Sequence, residues 1–266
     1  MTRQRAAFGL VLLLLTPALA PAEEQRNRPA GDKKAVSCEH AAVSDTITAI
    51  AAGGEITLGL GGAVRLMGIR LPNDGAFRDQ AVAWLRARTD GTLLVRGSEV
   101  RDRWDRRSVR IENPDRHVDL ALGLLEAGLA LADPGNADTS CAEDFLAIEA
   151  AARQRSLGVW ADAGYKPIGT EQADRLKHRT GTFAIVEGRV RSVGERAQWT
   201  YLNFGGRWAE DFTVIIPKKT WKRLTERGSD AAAFRGRQVR VRGVLEAWQG
   251  ASLTVEIPEM IELLPR

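Results

Sequence analysis

Metal chemistry finds few ligands in this sequence. Its 266 residues include three histidines and two cysteines. His40, His117 and His178 share no ligand-like spacing with one another or with the cysteines, which argues against a zinc site. Long apolar runs are also scarce. The one sustained run, residues 6–15, falls short of the roughly 20 residues that a membrane span requires, and nothing else is apolar enough to cross a bilayer. Internal repeats are missing, so the Trp104-Asp105 pair is no propeller signature. Nor does one sign of charge dominate, since 38 Lys+Arg against 34 Asp+Glu leave a net charge of +4. That surplus is unevenly placed. Residues 38–168 hold 15 basic against 19 acidic side chains, a net of −4, whereas residues 181–266 hold 14 against 10, a net of +4. An electrostatic footprint for nucleic acid is therefore lacking in the first part and modest in the second.

The N-terminus carries Arg3 and Arg5, the apolar run, and a small-x-small site at Ala20-Pro-Ala22. Those features predict a secretory signal peptide over residues 1–22, a secreted or periplasmic mature protein, and no membrane span after cleavage. Residues 23–37 are polar, with little to bury, and read as a disordered leader. Export also bears on Cys38 and Cys141. In a reducing compartment they would be two buried thiols, but in an exported chain the only available pair is expected to form a disulfide.

The spacing predicts strands over 47–50, 55–60 and 63–69, separated by Gly53-Gly54 and Gly61-Gly62, the second pair a hairpin signal. Phe77, Val82 and Leu85 fall near one face of a helix over 76–88. Further strands are expected at 93–96 and 108–111, around a charged loop at 102–107. Asp119 is placed to cap a helix that stops at Gly128, and the Ala- and Leu-rich residues 141–155 form the longest predicted helix. Five strands with helices after them fit a small Greek-key barrel of OB type over 38–162. Residues 163–180, with Pro167 and Gly169, read as a linker holding a short helix around 171–177. Residues 181–266 repeat the pattern, with strands at 183–190, 200–204, 212–216, 238–245 and 252–257 and a helix at 220–227. The expected fold is mainly β with α: two tandem five-stranded OB-type barrels.

Three segments carry a family likeness: Val64-Arg-Leu-Met-Gly-Ile-Arg-Leu-Pro-Asn73, Asp102-Arg-Trp-Asp-Arg-Arg-Ser-Val109 and Leu157-Gly-Val-Trp160. Together they resemble the thermonuclease (staphylococcal nuclease-like) family, whose strands read roughly V-R-L-x-G-I-D-x-P-E and D-R-Y-G-R. The resemblance implies an OB-type domain, Ca²⁺-dependent phosphodiester hydrolysis, and two arginines that bind phosphate. Those arginines correspond to Arg65 and Arg106. The acids do not carry over. The family's D-G-D-T turn falls on Ala52-Gly53-Gly54-Glu55, its second Asp on Arg70, the position after that on Leu71, and its general base on Asn73. Calcium wants several oxygen ligands, and an amide cannot take a proton at useful pH. No metal site and no resident Ca²⁺ are therefore expected. The second half, with Tyr201-Leu-Asn-Phe-Gly205 followed by Asp211-Phe-Thr-Val214, is similar to segments that follow thermonuclease-like domains in bacterial secreted proteins; that likeness implies no activity.

Other readings stand beside this one. Ser44-Asp45-Thr46 offers a second register for the first Asp, and Glu55 and Asp74 are the nearest spare carboxylates. Arg65 fits either a phosphate pocket or an internal ion pair to Asp102 or Glu55. Arg106 belongs to a cluster (Arg101, Arg103, Arg107, Arg110) that also suits a solvated loop, and Trp104 is a stacking residue or a loop anchor. Trp160 reads as core. In the second half, Trp199, Tyr201, Phe204, Trp208 and Trp248 lie near Arg189, Arg191, Arg196 and Arg207, a mixture that suits single-stranded nucleic acid or another polyanion, although Tyr201 and Phe204 equally suit a barrel core. Three functions follow: an exported binder of nucleic acid or polyanion with catalysis lost, an active nuclease, or an envelope protein-interaction scaffold. The first is favoured by the missing acids.

For the cysteines we expect one intramolecular bridge in the exported protein. It closes a loop of about a hundred residues and contributes on the order of 2–4 kcal/mol. Mass spectrometry after alkylation without reductant checks it; two alkylated thiols in native protein rule it out.

Overall fold

The first half begins with a bent strand. In the computed structural model, which describes residues 41–136, 142–206, 211–248 and 250–265, β1 (Val43–Asp45) and β2 (Ile47–Ile50) are separated by Thr46 alone. The hairpin strands β3 (Ile56–Leu58) and β4 (Gly62–Leu66) follow, then β5 (Ile69–Arg70), α1 (Gly75–Arg86), β6 (Leu93–Arg101), β7 (Arg107–Asn113) and β8 (Val118–Asp119). The sheet runs β1-β6-β7-β4-β3-β2, with β8 on β7. Its two edge strands are thus the two arms of one strand, joined at Thr46. Asp45 holds that bend. It is 6% exposed, and its carboxylate accepts from the backbone N–H groups of Thr46 (2.7 Å), Leu60 (3.0 Å) and Gly61 (3.0 Å). Burial raises its pKa, but these donors outweigh burial and hold it below the usual carboxylate range.

The strand predicted over 63–69 is broken. Gly68 has φ +75°, and the Phe145 ring occupies the space a Cβ would need. The chain therefore leaves the sheet after Leu66 and makes β5, which pairs with β9 (Leu131–Ala132) instead. Asp74 caps α1, accepting from Ala76 N–H (2.9 Å), and Asp119 caps α2 (Leu120–Glu126) through Leu122 N–H (2.8 Å). Helix α3 (Ala142–Gln154) completes this half. Alternate residues of β3 and β7, with Ala81 and Leu85 of α1, fill one core.

The second half comprises β10 (Ile168–Gly169), α4 (Ala173–His178), β11 (Phe183–Arg189), β12 (Ser192–Glu195), β13 (Trp199–Asn203), β14 (Thr213–Pro217), α5 (Lys218–Glu226), α6 (Ala231–Phe234), β15 (Gln238–Val244), β16 (Glu246–Ala247), β17 (Ala251–Thr254) and β18 (Ile261–Leu263). Two sheets result, β10-β11-β15-β18 and β12-β13-β14-β17-β16. β11 runs into β12, and β15 into β16, so two bent strands belong to both sheets. The pairing order of the first half recurs. In each half the third long strand lies parallel to the fifth (β4 with β7, β14 with β17), and the fourth lies between the fifth and the first. Residues 163–180 do more than link. β10 adds to β11 in parallel, and Ile168 and Leu176 are buried in the second core. Among the described residues no helix is long and apolar enough to cross a membrane. Residues 1–37, both cysteines, Arg207 and Trp208 lie outside the described residues.

The described residues gather as one compact unit, and alternation along the strands explains why. On β11, Ala184 and Val186 face the second core, while Phe183 and Ile185 pack with Leu131, Ala152, Val159 and Trp160 of the first half. On β15, Val239 and Val241 face inward, so Arg242 points towards α3. Its guanidinium meets Glu149 at 2.7 Å and Glu262 at 2.6 Å. Glu149 also accepts Ala132 N–H at 2.7 Å. Arg242 is 1% exposed and Glu149 0%. Burial opposes the charge of Arg242, but the two carboxylates more than offset it and raise its pKa. The turn at Leu157-Gly-Val-Trp160 closes the same seam. Gly158 (φ +51°) lies against the backbone of Gly128, where either Cβ would clash, and Val159 N–H donates to Gly128 C=O at 2.9 Å.

Arg242→Met leaves Glu149 short of its partner in a dry site, a loss worth about 3–5 kcal/mol. We expect a matching fall in urea-unfolding free energy, largely recovered in Arg242→Met/Glu149→Gln, whose neutral amide oxygen still accepts Ala132 N–H. An unchanged midpoint in the single variant would contradict this account.

Candidate anion-binding site

The cleft on the first half is built on the parallel pair β4 and β7. Their register puts Val64 beside Arg107 and Arg65 beside Ser108, which brings Arg65 next to the turn that enters β7. That turn is organised by Asp102. One carboxylate oxygen accepts the backbone N–H of Trp104 (2.9 Å) and Arg106 (3.0 Å). The other accepts Arg106 Nε (3.1 Å) and Nη2 (2.9 Å), and Arg65 Nε lies 3.8 Å from it. A single carboxylate thus orients both arginines. The Trp104 ring, 59% exposed, packs against Arg103 (3.9 Å) and Arg106 (4.9 Å), so it is a loop anchor with an open face.

Arg65, Arg70 and Arg106 line a cleft of about 180 Å³ over Val64, Leu66 and Leu71, with Glu55 at its rim. Arg70 is held by Asp133, whose Oδ2 accepts Nε (3.1 Å) and Nη2 (2.8 Å), and its guanidinium covers the Phe183 ring at 4.9 Å. Burial lowers the pKa of Arg65; Asp102 opposes that shift and Arg106 adds to it. Three guanidinium groups and one carboxylate do not fit Ca²⁺, which needs several oxygens. They do fit an anion, because each fork has donors to spare after meeting its internal partner.

Other candidate residues lie elsewhere. Asn73 is exposed, and its carbonyl accepts Arg78 Nη2 at 3.0 Å. Asp74 is committed to capping α1. Asp45, the alternative first ligand, is committed to the bend between β1 and β2 and is not among the residues lining the cleft. In the second half Phe204 packs on Phe212 at 5.5 Å. Tyr201 faces outward and stacks on Trp248, 5.8 Å between centroids and 18° between planes. Arg189 is exposed and donates to Gly236 C=O at 2.5 Å. Sequence reasoning missed Asp133. It is 63 residues from Arg70, and no local pattern signals the pairing.

Asp102 gives the site a pH signature. Desolvation raises its pKa, but the side-chain and backbone donors of Arg106 and Trp104 bring it down to about 2. The folded value lies below the unfolded value of roughly 3.9, so its stabilising effect is complete above that unfolded value and is lost as pH falls through about 2. We expect carboxyl NMR to place Asp102 near that value, and Arg106→Ala to move it upward towards the ordinary carboxylate range. No movement would mean that Arg106 does not set the charge of Asp102.

No family model matches the sequence, and no curated protein does.

Proposed function

We propose that this chain is an exported, thermonuclease-like pseudoenzyme that binds nucleic acid or another polyanion, with the Ca²⁺-dependent phosphodiesterase activity of that family lost. In this reading both halves are OB-type barrels. The support is the shared strand order, first-second-third-fifth-fourth and back to the first, with the bent first strand touching both the second and the fourth. The observation that carries the function is the cleft itself. Asp102 presents Arg65 and Arg106 together, and Arg70 stands where the resemblance calls for a metal-binding acid.

The chemistry follows from the residue types. A phosphate entering the cleft meets guanidinium forks suited to two of its oxygens. Hydrolysis further requires a base to activate water and a cation to take up charge. Asn73 cannot accept the proton, and losing a general base alone forfeits roughly 10²–10⁴ in rate. The cleft grips without cutting. A periplasmic or secreted location follows from the signal-like N-terminus.

The test pairs binding with digestion. We expect a fluorescent single-stranded oligonucleotide to bind with affinity that falls steeply with salt, since each neutralised phosphate releases counterions. Arg65→Ala/Arg106→Ala should weaken binding by about tenfold or more, as charged hydrogen bonds are worth roughly 1.5–3 kcal/mol each. DNA and RNA should survive incubation with or without Ca²⁺. Cleavage abolished by chelator and by the double variant would identify an active secreted nuclease, with Glu55 the first residue to suspect. No binding at low salt would favour an envelope protein-interaction scaffold.

A further inference from the structure

A second cationic concavity lies on the other half of the molecule. It holds about 380 Å³ and is lined by Arg189, Arg235, Gly236, Arg237, Gln238 and Pro265. Arg189 comes from the end of β11. Arg235 and Arg237 flank Gly236 in the turn between α6 and β15. That turn is pinned to the strand ends on both sides, with Gly236 N–H donating to Val190 C=O at 2.8 Å and Val190 N–H donating to Arg237 C=O at 2.9 Å. Three arginines thus line one hollow, and among the described residues no carboxylate lines it. Among the described residues, none of the three forms an ion pair.

Two of these arginines are nevertheless oriented. Arg189 Nη1 donates to Gly236 C=O at 2.5 Å, and Arg237 Nη2 donates to Leu264 C=O at 2.9 Å. Neutral carbonyls fix each fork without cancelling its charge. Each guanidinium has five N–H donors, so both keep most of theirs free, and the side chain of Arg235 has no hydrogen-bond partner among the described residues. Arg240, Arg227 and Arg116, by contrast, each meet a carboxylate: Arg240 that of Glu187, Arg227 that of Glu259 and Arg116 that of Asp90. With no described carboxylate neutralising these three arginines, their charge is available to a multiply charged anion. Planar forks fit phosphoryl oxygens two at a time, and contiguous phosphoryl groups can engage several forks at once.

We infer that Arg189, Arg235 and Arg237 form a phosphoryl-anion site on the second half, separate from the Arg65–Arg106 cleft. It does not depend on the first half binding anything. Contiguous phosphoryl groups occur both in inorganic polyphosphate and along a nucleic-acid backbone, and the two sources separate by experiment.

The test uses the full exported chain with two probes, tripolyphosphate by calorimetry and a single-stranded DNA 12-mer by fluorescence anisotropy. Arg235→Ala is the principal variant, because Arg235 is exposed and makes no hydrogen bond that the fold needs. We expect at least one probe to bind, Arg235→Ala to weaken it about tenfold, and Arg235→Ala/Arg189→Ala to weaken it further, with the melting temperature preserved in the single variant. For the 12-mer, each lost arginine should also reduce the slope of log K against log salt by about 0.7. Arg235→Lys, which keeps the charge and loses the fork, should fall between wild type and Ala. Arg65→Ala/Arg106→Ala should leave a residual affinity that Arg235→Ala then removes. Tripolyphosphate binding alone assigns the site to a free polyphosphate; binding of the 12-mer assigns it to a nucleic-acid backbone. If neither probe binds, or if binding ignores both Arg235→Ala and Arg189→Ala, the inference is wrong. If binding is lost only in Arg65→Ala/Arg106→Ala, the first cleft binds and this site does not.

Discussion

One buried ion pair ties the two halves of this molecule together. Arg242 reaches from β15 to Glu149 of α3 in a region closed to water, and Glu149 in turn receives the N–H of Ala132 on β9. Removing two charges from water is expensive, and their attraction repays it only where every remaining lone pair and proton is met. Most are. Glu262 and the Ala132 carbonyl take further donors of Arg242, and Arg153 lies 3.3 Å from Glu149. Within the Arg242–Glu149 pair, Arg242 Nε is left without a partner among the described residues. Such an arrangement tolerates little sliding, so it fixes the register of one half against the other in a way the surrounding apolar contacts do not.

The consequence reaches the cleft. β9 carries Ala132 at the ion pair and pairs with β5, where Arg70 resides. The residue after β9, Asp133, clamps Arg70, and Phe183 of the second half lies beneath its guanidinium. Arg70 is therefore bound up with the docking of the second half. An arginine there has a structural partner on each side, an acid from the first half and an aromatic ring from the second. On the proposed reading, the substitution that argues against metal binding also ties the anion cleft to the rest of the chain.

Much of the secondary structure was legible locally. Asp74 and Asp119 stand where caps belong, the Gly61-Gly62 pair turns the β3–β4 hairpin, and most predicted strands lie within a few residues of the observed ones. The failures share a cause. The strand over 63–69 breaks at Gly68 because Phe145, far along the chain, fills the space above it. β1, β9, β10, β16 and β18 are too short to show a period, and exist because a partner strand supplies their hydrogen bonds. Residues 163–180 read as a linker because their apolar residues are few, yet Ile168 and Leu176 are each buried completely or nearly so.

The sequence by itself determined the alternation of apolar residues along the strands, the helix caps and the uneven charge of the two halves. Those are properties of residue type and spacing, and no packing can alter them. Tertiary structure decided which charges meet. Asp45 holds a bend; Asp133 restrains Arg70; Arg189 shares a hollow with Arg235 and Arg237 across 46 and 48 residues of chain. Ion pairing depends on distances of a few ångströms between groups that sequence separates by dozens of residues. Only the folded chain sets those distances.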